Sequence, residues 1–182
     1  MKTVSTNSTY PIASYKGFFD EYLYKSAYAQ LKSKSGNMTQ GIDEETLDGI
    51  SLEWVKQTIE LFRNRTFQFK PSRRIYIPKA NGKMRPLGIP SSRDKVIQLV
   101  FKMLIEPVFE PLFLDCSHGF RPGRSTHTAL GQIRTWSGIT WMIEGDIKTY
   151  FDNIDHHLLA NILSEKINDK NLLDVYWKLV KA

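Results

Sequence analysis

The chain is poor in the features that would place it outside a cell or inside a membrane. One cysteine, Cys116, occurs among 182 residues, so no internal disulfide can form, which fits a reducing compartment. No apolar run approaches the roughly 18 residues that a membrane span needs. Residues 1–24 contain no arginine and no unbroken apolar core, which argues against a transit or signal peptide. Internal repeats, low-complexity tracts and long linkers are absent. The four histidines lack metal-ligand spacing: His156 and His157 are adjacent, and His118 and His127 flank a loop, so all four read as structural or surface residues.

What is present is enough for a packed core. Apolar residues make up 41% and aromatics 12%, suiting one ordinary domain or a piece of a larger one. The net charge of +6 is unevenly spread. Residues 54–102 carry twelve Lys/Arg against two acids, whereas 1–53 carry five against seven, 103–141 three against three, and 142–182 five against seven. All the excess positive charge therefore sits in one block. Such a block is either solvated surface or a stripe that attracts a polyanion with affinity falling as salt rises. The aromatics and turns interleaved with it favour the second.

Periodicity and punctuation place the elements. Tyr15, Phe18, Phe19, Tyr22 and Tyr28 recur at helical spacing and predict a helix over 15–31. SKSGNMTQGID, residues 33–43, has two glycines and no period, and reads as a loop. Ser51 caps a helix whose Leu52, Val55, Ile59 and Phe62 face inward before Asn64. Ser91 starts another, with Asp94 completing a short capping box and Val96, Leu99, Val100, Met103 and Leu104 as its buried stripe. Pro107 and Pro111 are expected to break or restart the chain. HGFRPGRST, residues 118–126, is a loop ending in a cap at Ser125 for a helix through about Trp136. A strand is predicted over 139–146, then a helix capped by Asp155 carrying Leu158, Leu159, Ile162 and Leu163, then a last helix from about Asp169. The order is α+β, with too few strands for a closed sheet.

RRIYIPKANGKMRPLGIP, residues 73–90, predicts a β-hairpin around Asn81-Gly82. A two-residue loop would pair Lys79 with Met84 and put Lys79 and Arg85 on opposite faces. A three-residue loop with Gly82 left-handed instead pairs Lys79 with Lys83 and Ile77 with Arg85. The second register is preferred, because it gives one face that is apolar at its base (Ile75, Leu87, Ile89) and cationic at its tip (Lys79, Lys83, Arg85).

The stretch WMIEGDIKTYFDNIDH, residues 141–156, is richest in chemistry. Asp146 would sit at the end of the predicted strand, where a carboxylate can hold a metal ion against phosphates; a turn carboxylate bonded to backbone would leave the same signature. Asp152 could orient a turn, and Asp155 looks like a helix cap. Phe151 could pack over a bound sugar or simply join the core. Lys79 and Arg85 could hold a triphosphate, Lys as a point charge and Arg as a planar fork. Arg121 and Arg124 suit a nucleic-acid backbone, and Arg73, Arg74 and Lys83 belong to the same basic surface; exposed charges on turns are the alternative.

Four segments in order, SGNMTQGID, RRIYIPKANGKMRPLGIPSSRDKVIQ, HGFRPGRSTHTAL and EGDIKTYFDNIDHHLL, make the chain resemble the N-terminal part of group II intron-encoded reverse transcriptases, also called maturases. The resemblance implies a right-hand polymerase fold, with fingers over 1–138 and the start of an incomplete palm over 139–182. It implies Asp146 as the first metal-binding aspartate, with the Ile147 carbonyl as a further ligand to Mg²⁺ in a completed site. Lys79 and Arg85 would grip the incoming dNTP triphosphate, and Phe151 would be the gate against a ribose 2′-hydroxyl. Arg121 and Arg124 would lie near template and primer, and residues 35–43 would be an extension covering the template. The implied partners are group II intron RNA or another structured RNA, and an RNA template with its DNA primer; no membrane is implied. The implied setting is an organelle that encodes the protein, mitochondrion or plastid, or the bacterial cytoplasm.

Two signatures of that family do not occur in the sequence: there is no Gly-Thr-Pro-Gln-Gly, and no Asp-Asp dipeptide from which a Tyr-Ala-Asp-Asp hairpin could be built. The expectation is a chain without polymerase activity of its own, completed by a C-terminal chain or self-associating. The alternative is a non-catalytic RNA-binding maturase remnant that assists RNA folding or splicing. An incomplete palm also predicts exposed apolar surface at Trp141, Ile143 and the helices after Asp155.

Overall fold

Four phenylalanines from four segments meet at the centre of the computed structural model, which describes residues 13–78 and 82–182. Phe62 stacks on Phe18 at 4.2 Å between ring centroids and on Phe67 at 4.5 Å, and Phe101 lies 6.5 Å from Phe18. Phe18 belongs to a short 3-10 turn, Tyr15–Phe19, followed by α1, Glu21–Lys32. The helix predicted over 15–31 is thus two pieces, because the Asp20 carboxylate accepts the Tyr22 amide at 2.9 Å and caps a new start.

Phe62 closes α2, Leu52–Arg63, whose Ser51 cap accepts the Trp54 amide at 3.1 Å. Val55, Ile59 and Phe62 are buried as expected, but Leu52 is 56% exposed. The inner face is centred on Trp54, Val55, Thr58 and Ile59, which turns Leu52 outward.

Phe101 belongs to α3, Ser92–Phe109. Ser91 caps it, accepting the Asp94 amide at 3.1 Å. The expected reciprocal box does not form: the Asp94 carboxylate turns away to accept the Lys70 amide at 2.9 Å. That bond ties the approach to the hairpin to the start of α3, and burial pushes the Asp94 carboxyl above its usual range. Asp94→Ala should leave a part-buried amide unpaired and lower the unfolding free energy by about 1–3 kcal/mol in a urea titration. Val96, Val100 and Leu104 are buried, joined by Ile97 and Phe101, while Leu99 and Met103 are half-buried. Pro107 does not break α3. It lies in the last turn, where its missing amide costs a single helical bond. Pro111 sits in a 3-10 turn, Glu110–Leu112, that ends the run.

The last helix, α6, Lys170–Val180, returns to the front of the chain. One carboxylate joins the two ends: Asp169 caps α6 through the Asn171 amide at 3.0 Å and accepts the Tyr15 amide at 2.7 Å. Lys178 Nζ donates to the Phe67 carbonyl at 2.8 Å.

The hairpin, β1 (Arg73–Pro78) and β2 (Met84–Ile89), adopts the three-residue register. Ile77 pairs with Arg85 and Ile75 with Leu87, and Gly82 is left-handed at φ +76°. Only Ile89 of the expected apolar base is buried; Ile75 is half-buried and Leu87 exposed, so the hairpin is anchored at one end. Residues 79–81, and with them the Lys79 position, lie outside the described residues.

No residue from 105 to 162 is buried. This stretch holds α4, Thr126–Arg134, closed by a capping box between Ser125 and Thr128 and ending short of Trp136. It also holds the start of α5, His156–Ser164, whose Asp155 cap accepts the His157 and Leu158 amides at 2.8 and 3.0 Å. Of the three leucines and one isoleucine of α5 expected inward, Leu163 is buried and Leu159 half-buried, whereas Leu158 and Ile162 are exposed. The strand predicted over 139–146 is not formed. A strand needs a neighbour to complete its ladder, and among the described residues the sheet consists of β1 and β2 alone. Trp141 and Ile143, 87% and 96% exposed, are the apolar surface that the sequence predicts there.

Candidate nucleic-acid and nucleotide interface

Three groups of predicted residues take different positions. On the hairpin, the register places Arg73, Ile77 and Arg85 on one face and Arg74, Tyr76 and Met84 on the other. Arg74 and Arg85 are exposed, as is Lys83. Arg73 is different. Its Nη2 donates to the Gln40 carbonyl at 2.8 Å.

The loop 115–125 is organised around Arg121. Its side chain is only 9% exposed, and its Nη2 lies 2.9 Å from Glu110 Oε1. Further donors reach the Leu114 carbonyl at 2.7 Å and the Ser117 carbonyl at 2.9 Å. The guanidinium is therefore committed to holding its own loop. Arg124 is held more loosely, by Asp115 at 3.0 Å, and Asp115 is 96% exposed. An exposed pair of this kind contributes little and leaves the guanidinium able to trade its carboxylate for a phosphate. His118 bridges Thr128 and Gln132 at 2.9 and 2.6 Å, a structural role.

Asp146 and Ile147 lie in an exposed segment without regular structure, and Phe151 in the exposed 3-10 turn that follows it, Tyr150–Asn153. Phe151 is 74% exposed and packs edge-on against Tyr150 at 5.3 Å. Asp146 and the Ile147 carbonyl offer hard oxygen donors of the kind Mg²⁺ takes. They do not make a site by themselves: among the described residues no three His, Cys, Asp or Glu side chains gather to hold a metal. Asp155 is engaged as a cap, and those two amide bonds hold its carboxyl below the usual range.

The sequence did not point to a fourth group, where much of the basic block is spent. Lys70 pairs with Asp43 at 2.9 Å, and Arg93 Nε lies 2.7 Å from Glu45 Oε2 with its N–H off the line of the contact. Lys95 Nζ donates to the Thr39 carbonyl at 2.6 Å. The acids answering these cations lie 27 and 48 residues away, so only alternation of charge between loop and block hinted at them. For Asp43, burial would raise the pKa, but the Lys70 ammonium and nearby amides outweigh it and hold the carboxyl low.

Residues 77–179 match the family model described as reverse transcriptase (RNA-dependent DNA polymerase). The chain is 46% identical over 162 residues to the group II intron-encoded protein LtrA of Lactococcus lactis, covering 88% of the chain and 27% of that protein. It is 45% identical over 170 residues to an uncharacterized 91 kDa protein in the cob intron of Schizosaccharomyces pombe, covering 92% of the chain and 21% of that protein. It is 40% identical over 157 residues to a putative COX1/OXI3 intron 1 protein of Saccharomyces cerevisiae, covering 86% and 19% respectively. The chain thus spans about a fifth to a quarter of the length of these relatives, in their N-terminal part. It has a mixed architecture of helices and one small sheet, consistent with the fingers region of such a polymerase. The chain belongs to the reverse transcriptase family, among its group II intron-encoded reverse transcriptases and maturases.

Proposed function

We propose that the chain supplies the template- and nucleotide-gripping part of a polymerase cleft, residues 1–138 as fingers and 139–182 as the start of a palm. The observation that carries this reading is the hairpin register, which leaves Arg85 exposed near the tip of an element anchored only at its base. A guanidinium there can meet triphosphate oxygens as a planar fork. Lys79 would act beside it, and Phe151 would pack against the sugar. Asp146 and the Ile147 carbonyl would contribute part of a Mg²⁺ shell, whose role in phosphoryl transfer is to neutralise charge on the reacting phosphates. The remaining carboxylates would come from a segment carrying Tyr-Ala-Asp-Asp, and the exposed apolar residues Trp141, Met142 and Ile143 would dock against it. Intron RNA or a template–primer pair would lie along Arg74, Lys83 and Arg124. Relatives are mitochondrial intron-encoded or bacterial proteins, and a group II intron in either setting would provide the RNA.

Primer extension on an RNA template, with and without a separately supplied Tyr-Ala-Asp-Asp segment, tests this directly. Extension is expected only in the mixture. In that mixture Arg85→Ala should raise the apparent KM for dNTP by about tenfold while sparing RNA affinity. Equal loss of both would mark Arg85 as general basic surface.

A second reading is an RNA-binding remnant without catalysis, favoured by the want of a carboxylate cluster among the described residues. It predicts salt-dependent binding of intron RNA that Asp146→Ala leaves unchanged, with no extension in any mixture.

A further inference from the structure

We propose that Lys70, Arg73, Arg93 and Lys95 are positioning residues that aim the hairpin by strapping residues 39–45 across its base. The proposal rests on the reading above for what the hairpin does, but the strap stands on its own geometry.

A two-stranded hairpin anchored by one buried residue, Ile89, has little in its own strands to fix its direction. Its direction must be set where it joins the core. The joint is Pro90-Ser91, between β2 and α3, and the 39–45 segment lies directly on it. A Cβ on Gly41 would meet Ser91 Cα at 2.5 Å and the Pro90 carbonyl oxygen at 2.9 Å, so backbone presses on backbone with no side chain between.

The bonds that keep the strap there come from both sides of the joint. Arg73, the first residue of β1 and the partner of Ile89 in the ladder, holds the Gln40 carbonyl at 2.8 Å. From α3, Lys95 holds the Thr39 carbonyl at 2.6 Å and the Ser92 hydroxyl donates to the Glu45 carbonyl at 3.0 Å. Lys70 and Arg93 fasten the far end through Asp43 and Glu45. Adjacent carbonyls thus draw Arg73 and Lys95 together although neither is ion-paired among the described residues. Consistently, burial and then the Arg73 charge lower the Lys95 pKa. Bringing two like charges together opposes binding at that spot, and charge-assisted bonds to the strap offset it.

The test uses the whole 182-residue chain. Nitroxide labels go on the native exposed Cys116 and on Met84→Cys in β2, and the distance distribution between them reports the aim of the hairpin. The parent should give one narrow distribution. Lys95→Met should broaden it and speed amide exchange over residues 37–45 by about tenfold, with α6 unchanged; Lys95→Arg should restore both. Gly41→Ala, which lifts the strap without touching a cation, should broaden the distribution in the same way. Unchanged distances and exchange in Lys95→Met would overturn the proposal, as would loss of RNA affinity with distances intact, since the lysine would then contact RNA directly. A broadened distribution with unaltered RNA and nucleotide binding would support the strap and remove the functional role given to the hairpin.

Discussion

Phe62→Ala is expected to lower the unfolding free energy by about 3–5 kcal/mol, read as a fall in the urea midpoint with the slope retained. Phe62 is 1% exposed and sandwiched between Phe18 and Phe67, so truncation opens a cavity that three segments line. Its backbone carbonyl also accepts the Tyr15 hydroxyl at 2.6 Å, and the 3-10 turn carrying Tyr15 is held in turn by Asp169. The carbonyl survives the substitution, so the loss is that of the stacked ring and not of this bond. Against a typical total of about 5–15 kcal/mol it is enough to leave much of the protein unfolded. Phe151→Ala, at a 74% exposed position, should shift the midpoint hardly at all. Similar small shifts for both variants would show that the phenylalanine stack is not the centre of the core.

Arg121→Ala should be the most damaging change outside that core, costing about 2–4 kcal/mol of local stability in the 110–125 loop. Removing the guanidinium leaves Glu110 without its ion pair, the Ser117 carbonyl without its side-chain donor, and the Leu114 carbonyl with the Ser117 amide alone. Arg121→Lys should not rescue it, because one ammonium cannot span the same set. Since no residue of this loop belongs to the core, the readout is amide exchange over 110–125 and not the global melt. Arg124→Ala provides the contrast. It should reduce the salt slope of RNA binding by about one while loop exchange stays as in the parent. Were Arg121→Ala to lower that slope by the same amount with exchange unchanged, Arg121 would be a phosphate contact and not the keystone of its loop.

Much of the local structure was legible because its causes are local. Ser51, Ser91, Ser125, Asp155 and Asp169 each start a helix, since a short acceptor side chain beside free amides is a property of a few adjacent residues. The hairpin register was legible for the same reason: only one loop length put like residues on like faces and a left-handed glycine at position 82. Helix breaks were less so, as Asp20 splitting one predicted helix and Pro107 failing to split another both show.

Of the candidate site, the sequence supplied the residue types and the concentration of charge. It could not assign each cation's partner. Arg73 and Arg121 looked alike as surface cations, yet the fold spends the first on a loop carbonyl and the second on loop carbonyls and Glu110. The strand predicted over 139–146 failed on the same ground, because a strand exists only with a neighbour to bond. By itself the sequence determined caps, turn, register and family motifs, all set by near neighbours along the chain. The tertiary structure alone decided which charges remain for a ligand, because that depends on carbonyls and carboxylates brought in from tens of residues away.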